Sequence, residues 1–266
     1  MEWALPQLWP LVIAGGFVVG FLVGLTGVGA GSLTTPFLIT VIGVNPVVAV
    51  GTDLLFACIT KASSAWHHHR LNNVDYRILA WLAAGSLPAA GVVFLWLSLS
   101  GIDPSTLAFF IRRVLALALL ISALAIATRP FLVEQLATPH GNGTATLEAR
   151  PTLTVALGVV IGATVALTSV GAGAIGVVVL AALYPSLAMR RLVGTDIVHA
   201  IPLTLVAGLG HLSLGHVNAA LLVTLLVGSI PGIAIGSRLT GRLPDWVLRL
   251  TLAAVLVLAA VTLLLK

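Results

Sequence analysis

Long apolar runs separated by short polar stretches fill nearly the whole of this 266-residue chain. A hydrocarbon core about 30 Å thick needs about 20 helical residues per crossing, and many of the runs approach that length. The pattern predicts five apolar segments in each half: 9–27, 30–44, 46–61, 77–99 and 107–128, then 152–169, 171–185, 192–211, 217–237 and 245–265. The second and third segments are short. The predicted fold class is an all-α polytopic membrane protein, with its longest polar connectors at 61–77 and 129–151.

The same ordered residues recur after a shift of 143 positions. The sequence VGTD occurs at 50–53 and again at 193–196, and GSLP at 85–88 is matched by GSIP at 228–231. Across positions 50–88, 13 of 39 residues are identical to their counterparts. Such internal repeats indicate two homologous halves. We therefore divide the chain into a first transmembrane repeat (1–128), a connecting cytoplasmic loop (129–151) and a second transmembrane repeat (152–266).

The relative orientation of the halves depends on whether the short glycine-rich segments cross the membrane. Crossing gives inverted repeats of five segments each, whereas re-entrant segments give parallel halves of four spans each. Cytoplasmic loops carry an excess of Lys and Arg. Inverted halves leave only Arg112, Arg113 and Lys266 on the outer side, whereas parallel halves split the 13 basic residues six against seven. The charge pattern favours inverted repeats with both termini outside.

The composition excludes several classes of function. Hydrophobic residues make up 59% of the chain and charged residues 8%, which leaves no room for a soluble catalytic or nucleotide-binding domain. Neither a Walker loop, a nucleophile elbow nor a zinc spacing occurs, so we expect no enzyme activity, cofactor or metal. The net charge of +5 reflects membrane orientation rather than nucleic acid binding. The expected partners are the lipid bilayer and a small anion, and the sequence leaves open a homo-oligomer.

Glycine-rich breaks occupy corresponding positions in the two halves. GLTGVGAGSLTTPFL covers 24–38, and GATVALTSVGAGAIG covers 162–176. Non-helical backbone at membrane depth is tolerated only where protein or water satisfies it, and paired breaks indicate a transporter binding site. A helix beginning after such a break presents free N–H groups and a partial positive charge, which suit a small oxyanion. Close helix packing through small residues is the structural alternative.

The two VGTD sequences place acidic residues in apolar surroundings. Thr and Asp after a glycine are strong N-cap residues, so Thr52 and Asp53, like Thr195 and Asp196, are predicted to begin a helix inside the membrane. A carboxylate at that depth is costly and is a functional candidate by default. Because it would repel an anion, it requires either protonation or a cation such as Lys61 or Arg112.

Two groups of polar residues admit both structural and functional explanations. His199 follows Asp196 by three residues on one helical face, so the pair is a candidate proton relay, with a hydrogen-bonded buried histidine as the alternative. The run His67–His69 is expected in a cytoplasmic connector, where adjacent ligands diverge too much for a metal. Pro88 and Pro231 are expected to kink their helices, with the neighbouring serines able to compensate the backbone.

The order of these motifs resembles the TauE/SafE family of bacterial membrane permeases along essentially the whole chain. The resemblance rests on the first glycine-rich break with its proline, the AVGTDLLF segment, the histidine and VD connector, the GSLP motif, and GIAIGSRLTGRL at 232–243. It implies a secondary transporter that moves sulfite, organosulfonates or related sulfur-containing or carboxylate anions across the bacterial inner membrane, commonly outward. We expect this export to be coupled to protons. Rival functions are a passive anion channel, a metal-ion transporter using His67–His69, and an assembly factor without transport.

Within this resemblance, the expected substrate-binding residues come from both breaks and both VGTD sequences. Backbone amides would hold the anion, hydroxyls would orient it, and a carboxylate or histidine would exchange the proton. The expected binding residues are Gly29, Gly31, Thr34, Thr52, Asp53, Ser169, Gly171, Gly173, Thr195 and Asp196, and the proton-coupling candidates are Asp53, Asp196 and His199.

Overall fold

Ten α-helices make up the architecture of the computed structural model, which describes residues 8–26, 31–136, 150–239 and 244–265. The first half contains α1 (Trp9–Thr26), α2 (Gly31–Phe37), α3 (Pro46–Arg70), α4 (Tyr76–Leu99) and α5 (Pro104–Leu136), and a π-helical turn (Leu38–Ile42) extends α2. The second half contains α6 (Pro151–Thr168), α7 (Ala174–Leu183), α8 (Met189–Ser213), α9 (Ala219–Leu239) and α10 (Asp245–Leu265). Eight of these helices are long and apolar enough to cross a membrane.

Polar side chains begin several of the helices at the connectors. The Asp75 carboxylate accepts hydrogen bonds from the backbone N–H groups of Arg77 and Ile78 and thereby caps α4. Asn45 accepts from Val47 N–H at 2.9 Å, with proline as the first residue of α3. These caps satisfy N–H groups that a helix leaves unpaired at its start. Helices α3 and α4 therefore begin in the polar connectors rather than inside the apolar runs.

The third segment is longer than the sequence pattern predicted. It was expected to end near residue 61, but α3 has 25 residues and includes the polar stretch through Arg70. Polar side chains do not end a helix by themselves. The helix ends where Asn72 adopts a left-handed conformation with φ 53°, and α8 ends likewise before Gly215 at φ 75°. The predicted connector 61–77 is thus reduced to residues 71–75.

The two halves make equivalent contacts with each other. Helix α1 packs along α9, and α6 packs along α4. Because α6 is the counterpart of α1 and α9 is the counterpart of α4, the two contacts are equivalent. In the first pair Gly20 lies so close to Ser229 that an added Cβ would be 2.3 Å from its carbonyl oxygen. In the second pair Gly162 lies against Ser86, also at 2.3 Å. Small residues therefore allow backbone contact along both seams.

Helices α3 and α8, which correspond in the repeat, pack against each other in antiparallel directions. Gly51 near the start of α3 lies against His211 near the end of α8, and His68 near the end of α3 lies against Gly194 near the start of α8. Helix α5 packs on α10. Large apolar side chains such as Leu99 and Leu258 remain exposed on the outer helix faces, where lipid replaces water as their surroundings.

Candidate functional site

The two glycine-rich breaks meet inside the molecule. Helix α2 begins at Gly31, within the first glycine-rich stretch, and α6 ends immediately before Ser169 in the second. A Cβ added to Gly31 would lie 2.0 Å from the Ser169 carbonyl oxygen, so glycine is required for this approach. Gly29 belongs to 27–30, which lies outside the described residues. The structure thus brings together two of the predicted site residues from opposite halves.

The second break is a sharp turn in left-handed backbone. Ser169 has φ 60°, Gly171 has φ 130° and Gly173 has φ 120°. Only glycine adopts the last two conformations readily. The turn redirects the chain so that α7 begins at Ala174, directly after Gly173. The predicted helix start after the glycines is therefore observed in this half as well as in the first.

Asp53 lies beside the meeting point of the breaks and is fully buried. The Thr35 hydroxyl on α2 donates a hydrogen bond of 2.7 Å to its Oδ2 atom. The hydroxyls of Thr34 and Ser169 lie near the same carboxylate. The Asp53 Oδ1 atom has no hydrogen-bond partner within the described part of the chain. One carboxylate thus faces three hydroxyl-bearing residues from both breaks.

Asp196, the counterpart of Asp53, has different surroundings. It is also fully buried, but neither carboxylate oxygen has a hydrogen-bond partner among the residues that the structure describes. Its Oδ1 atom packs against the Gly176 backbone, where an added Cβ would be 2.4 Å away. The sequence VGAG occurs at 28–31 and again at 170–173, and at this offset of 142 Gly176 corresponds to Thr34. The hydroxyl environment of Asp53 is therefore missing at Asp196.

His199 contacts a different helix from the one expected for an aspartate relay. Its Nε2 atom and the Ser86 hydroxyl are 2.7 Å apart, and both residues are fully buried. The Nδ1 atom has no partner within the described residues, and neither does the Asp196 carboxylate. A direct Asp196–His199 hydrogen bond is thus not formed. The GSLP motif supplies the partner, a contact between α4 and α8 that spacing along one helix does not reveal.

The VGTD sequences do not begin helices, which corrects the capping prediction. Thr52 lies within α3, and Thr195 lies within α8 and donates to the Arg191 carbonyl at 2.7 Å. This bond lets a threonine occupy a helix interior. The hydroxyls also accept bonds from the opposite half, from Asn218 N–H at 3.0 Å for Thr52 and from Asp75 N–H at 2.8 Å for Thr195.

The glycine of each VGTD sequence serves the same contact. A Cβ on Gly51 would be 2.2 Å from the His216 carbonyl oxygen, and one on Gly194 would be 2.0 Å from that of Asn73. Each glycine therefore allows the connector of the other half to pack against the helix backbone. The neighbouring threonine then accepts a hydrogen bond from the residue that precedes the next helix, α9 or α4. The Gly-Thr pair joins the halves, and the aspartate that follows it is the residue that reaches the breaks.

Lys61 lies within α3, one of the helices that are long and apolar enough to cross a membrane, and not in a connector as predicted. It precedes the end of the helix at Arg70 by nine residues, or about 13 Å at 1.5 Å per residue. The side chain is half-buried and interacts electrostatically with Asp196 and Asp53. It was absent from the predicted site residues because the polar run that follows it looks like a loop.

The histidines that were predicted in connectors lie at the ends of helices instead. Residues 67–69 form the last turns of α3, and His211 bonds the Ala166 carbonyl oxygen at 2.9 Å through Nε2. The described residues contain no group of three or more His, Cys, Asp or Glu side chains that could hold a metal ion.

Comparison with known proteins agrees with this architecture. The family model described as "Sulfite exporter TauE/SafE" matches residues 12–263. The probable membrane transporter protein YjnA of Bacillus subtilis (strain 168) is 37% identical, covering 95% of this chain and 98% of that protein. YdhB of the same organism, with the same description, is 28% identical, covering 90% and 93%.

A more distant relative comes from an archaeon. The probable membrane transporter protein MJ0441 of Methanocaldococcus jannaschii is 25% identical, covering 96% of this chain and 95% of its own length. No solved structure matches the chain. The family match covers all ten helices almost completely, including both breaks and both VGTD sequences. The chain therefore belongs to the sulfite exporter TauE/SafE family of multi-pass membrane transporters.

Proposed function

We propose that this protein is a secondary transporter that exports a small anion across the bacterial inner membrane. The substrate class is sulfite, an organosulfonate, or a related sulfur-containing or carboxylate anion, as the family description suggests. The observation that carries the proposal is the contact between Gly31 and Ser169, which brings the glycine-rich breaks of both halves together. The protein acts as a carrier and performs no chemistry on its substrate.

The meeting point of the breaks has the groups that an anion requires. Helix α7 begins there and points its first N–H groups toward the break, as does α2 with its π-helical extension. These groups and the helix dipole attract negative charge without a full cationic side chain. The hydroxyls of Thr34 and Ser169 supply directional donors. Gly171 and Gly173 keep the backbone open to the substrate.

Inverted repeats supply the transport mechanism in this proposal. The antiparallel packing of α3 and α8, which are counterparts, is expected if the second half is turned over relative to the first. Parallel repeats would place these two helices in the same direction. Rocking of one half against the other would then expose the same central site alternately to each side. The basic residues near Arg70, Arg190 and Arg238 mark the cytoplasmic face, which leaves both termini outside.

Buried titratable side chains supply the coupling to protons. Asp53, Asp196 and His199 are fully buried in the spans, and an intramembrane ionisable residue usually marks an ion pathway. Protonation of a carboxylate removes the repulsion that a passing anion would meet. The proton would thereby travel with the substrate or against it.

The test is sulfite transport by the purified protein in proteoliposomes under an imposed pH gradient. We expect parent vesicles to accumulate sulfite, and Asp53→Asn and Asp196→Asn to lose at least about tenfold in gradient-driven accumulation. Asp103→Asn is the matched control, because that carboxylate caps α5 in an exposed connector. Each variant is checked for monodispersity before reconstitution.

The possible results separate the proposed carrier from its rivals. Sulfite or sulfonate flux that ignores the pH gradient in parent and variants would indicate a passive channel. No flux of any tested anion would reject the substrate class. Loss of transport after His67, His68 and His69 are all replaced by alanine, with metal-dependent flux in the parent, would favour a metal transporter.

A further inference from the structure

Lys61 lies on the inward face of α3. Ile59 and Trp66 are 48% and 59% exposed and mark the lipid-facing side of the helix. Lys61 is on the opposite side, in register with Leu54 seven residues before it and Ala65 four residues after it. Both of these are buried, at 0% and 7%. The lysine therefore points toward the interior of the helix assembly.

The Lys61 side chain nevertheless remains partly accessible. It is half-buried although its apolar neighbours on the same face are buried. An inward-facing side chain that is not fully buried has part of its surface outside the close packing of its neighbours. The Cys58 side chain, one turn earlier, is half-buried as well. The accessible region thus extends along one turn of α3 near the middle of this 25-residue helix.

The Lys61 ammonium group has no partner that would neutralise it directly. Among the described residues, no carboxylate lies within ion-pair distance and no hydrogen bond involves its side chain. Asp53 is eight residues earlier, about 12 Å along the helix. Asp196 and Asp53 act on it only at longer range, together with His199 on α8. A charge at this depth is costly unless a counter-ion reaches it.

The second half offers no equivalent cation. Thr204 is the counterpart of Lys61 at the offset of 143, and its hydroxyl donates to the Ala200 carbonyl of its own helix at 2.7 Å. Thr204 is 2% exposed, whereas Lys61 is half-buried. The repeats are therefore asymmetric at this position, where only the first half carries a positive charge.

We infer that Lys61 binds the transported anion near the middle of the membrane. The anion then serves as the counter-ion of the ammonium group, which the protein itself does not supply. Three ammonium N–H groups can bond the oxygens of a sulfite or sulfonate group. The inference rests on the proposed function and adds to it the residue that selects negative charge. Asp53 and Asp196 then lie near the bound anion, and protonation of these carboxylates removes the repulsion between like charges.

The chain contains a built-in reporter, because Cys58 is its single cysteine and lies three residues before Lys61. Residues at this spacing on a helix are neighbours. Purified protein would be treated with two thiol reagents of similar size, the anionic 2-sulfonatoethyl and the cationic 2-(trimethylammonio)ethyl methanethiosulfonates. We expect Lys61→Gln to lower the anionic-to-cationic rate ratio roughly tenfold, because it removes a unit charge close to the thiol.

A matched variant and a salt series keep this test decisive. Arg113→Gln also removes one positive charge, but from a side chain that stacks on Phe109, and it should leave the ratio unchanged. In the parent protein, high salt should reduce the preference for the anionic reagent. An unreactive Cys58, or a ratio that neither Lys61→Gln nor salt alters, would overturn the inference. The parent salt series applies even if Lys61→Gln does not fold.

Transport kinetics provide the second readout. We expect Lys61→Gln to raise the KM for the anion roughly tenfold or more, and Lys61→Arg to retain most of the affinity because it keeps the charge. Unchanged KM in a folded Lys61→Gln variant would reject the role of Lys61 while leaving the proposed transporter intact. If the parent protein moves no anion, the proposed function fails. The attraction of anions by Lys61 is then rejected only if Lys61→Gln also leaves the ratio of anionic to cationic labelling rates at Cys58 unchanged.

Discussion

At the residue scale, the repeated Gly-Thr-Asp sequence divides into a structural pair and a functional candidate. The Thr195 hydroxyl accepts a hydrogen bond from the buried Asp75 N–H, and Thr52 does the same for Asn218. The Thr195 hydroxyl also donates to the Arg191 carbonyl oxygen, so its proton is already used within its own helix. Their contribution is therefore to the union of the two halves, whereas the Asp53 carboxylate lies beside the breaks.

Replacing Thr195 by valine tests this division. The change keeps the side-chain shape but leaves the Asp75 N–H without its acceptor, and an unsatisfied buried donor costs about 1–3 kcal/mol. We expect a lower melting temperature in detergent and normal sulfite transport per folded molecule. Thr224→Val is the control, because that hydroxyl bonds only its own helix on an exposed face. Unchanged stability together with lost transport would return Thr195 to the substrate site.

His216, which lies outside the membrane-spanning helices, makes the stability of the folded protein depend on pH. It lies between α8 and α9, and partial burial lowers the pKa of its imidazole. The unfolded chain, with a histidine pKa near 6.5, then binds more protons than the folded protein. Stability should accordingly fall as pH drops below about 6.5. Melting curves from pH 8 to 5 should show a smaller decline for His216→Asn than for the parent, and an identical decline would contradict this role.

Some site residues were accessible to sequence reasoning and others were not. The paired breaks could be found because glycine clusters recur at matching positions, whereas the contact of Gly31 with Ser169 is visible only in the structure. The Ser86–His199 contact joins residues 113 positions apart on different helices. Nothing in the local spacing of either residue indicates it. Sequence patterns identify the helices well. Side-chain partners on different helices can be identified only once the packing of the helices is known.

At the element scale, glycine seams determine how closely the helices of opposite halves approach. An alanine at Gly20 would place its Cβ 2.3 Å from the Ser229 carbonyl oxygen, and at Gly162 it would meet Ser86 equally closely. Because a neighbouring backbone cannot yield as a flexible side chain does, both pairs of helices must separate. We expect each substitution to lower the melting temperature and expression level.

Gly91→Ala is the matched control for these seams. Gly91 is inside α4, but an added Cβ there would meet nothing within 4 Å. Alanine favours a helix over glycine by roughly 0.5–1 kcal/mol, so stability should stay constant or rise. If Gly20→Ala and Gly91→Ala behaved alike, close backbone contact would not be what holds α1 against α9.

Helix α3 shows where hydropathy fails as a guide to element boundaries. The apolar run weakens after residue 61, which suggested a connector, yet backbone hydrogen bonding continues through the polar turns to Arg70. The left-handed Asn72 ends the helix instead. The error mattered for function, because it placed Lys61 at the membrane surface. A lysine at the start of a polar run can lie at the membrane interface, or deeper in the membrane if the helix continues through the polar residues.

At the scale of the whole molecule, the antiparallel pair α3 and α8 relates the contact pattern to membrane topology. Arg70 and Ser213 are counterparts at the offset of 143, and they end these two helices. Both are exposed, so each can carry a labelling site. Inverted repeats require the two ends to face opposite sides of the membrane, whereas parallel repeats would place them on the same side.

Single cysteines at these two positions decide the orientation in intact cells. In a Cys58→Ser background, we expect a membrane-impermeant maleimide to label Ser213→Cys from outside and to label Arg70→Cys only after permeabilisation. Reporter fusions at residues 70 and 140 should likewise report the cytoplasm, and fusions to either terminus should not. Labelling of both cysteines from the same side would reject inverted repeats. Alternating access by exchange of equivalent halves would then lose its structural basis, although the contact between the two glycine-rich breaks would remain.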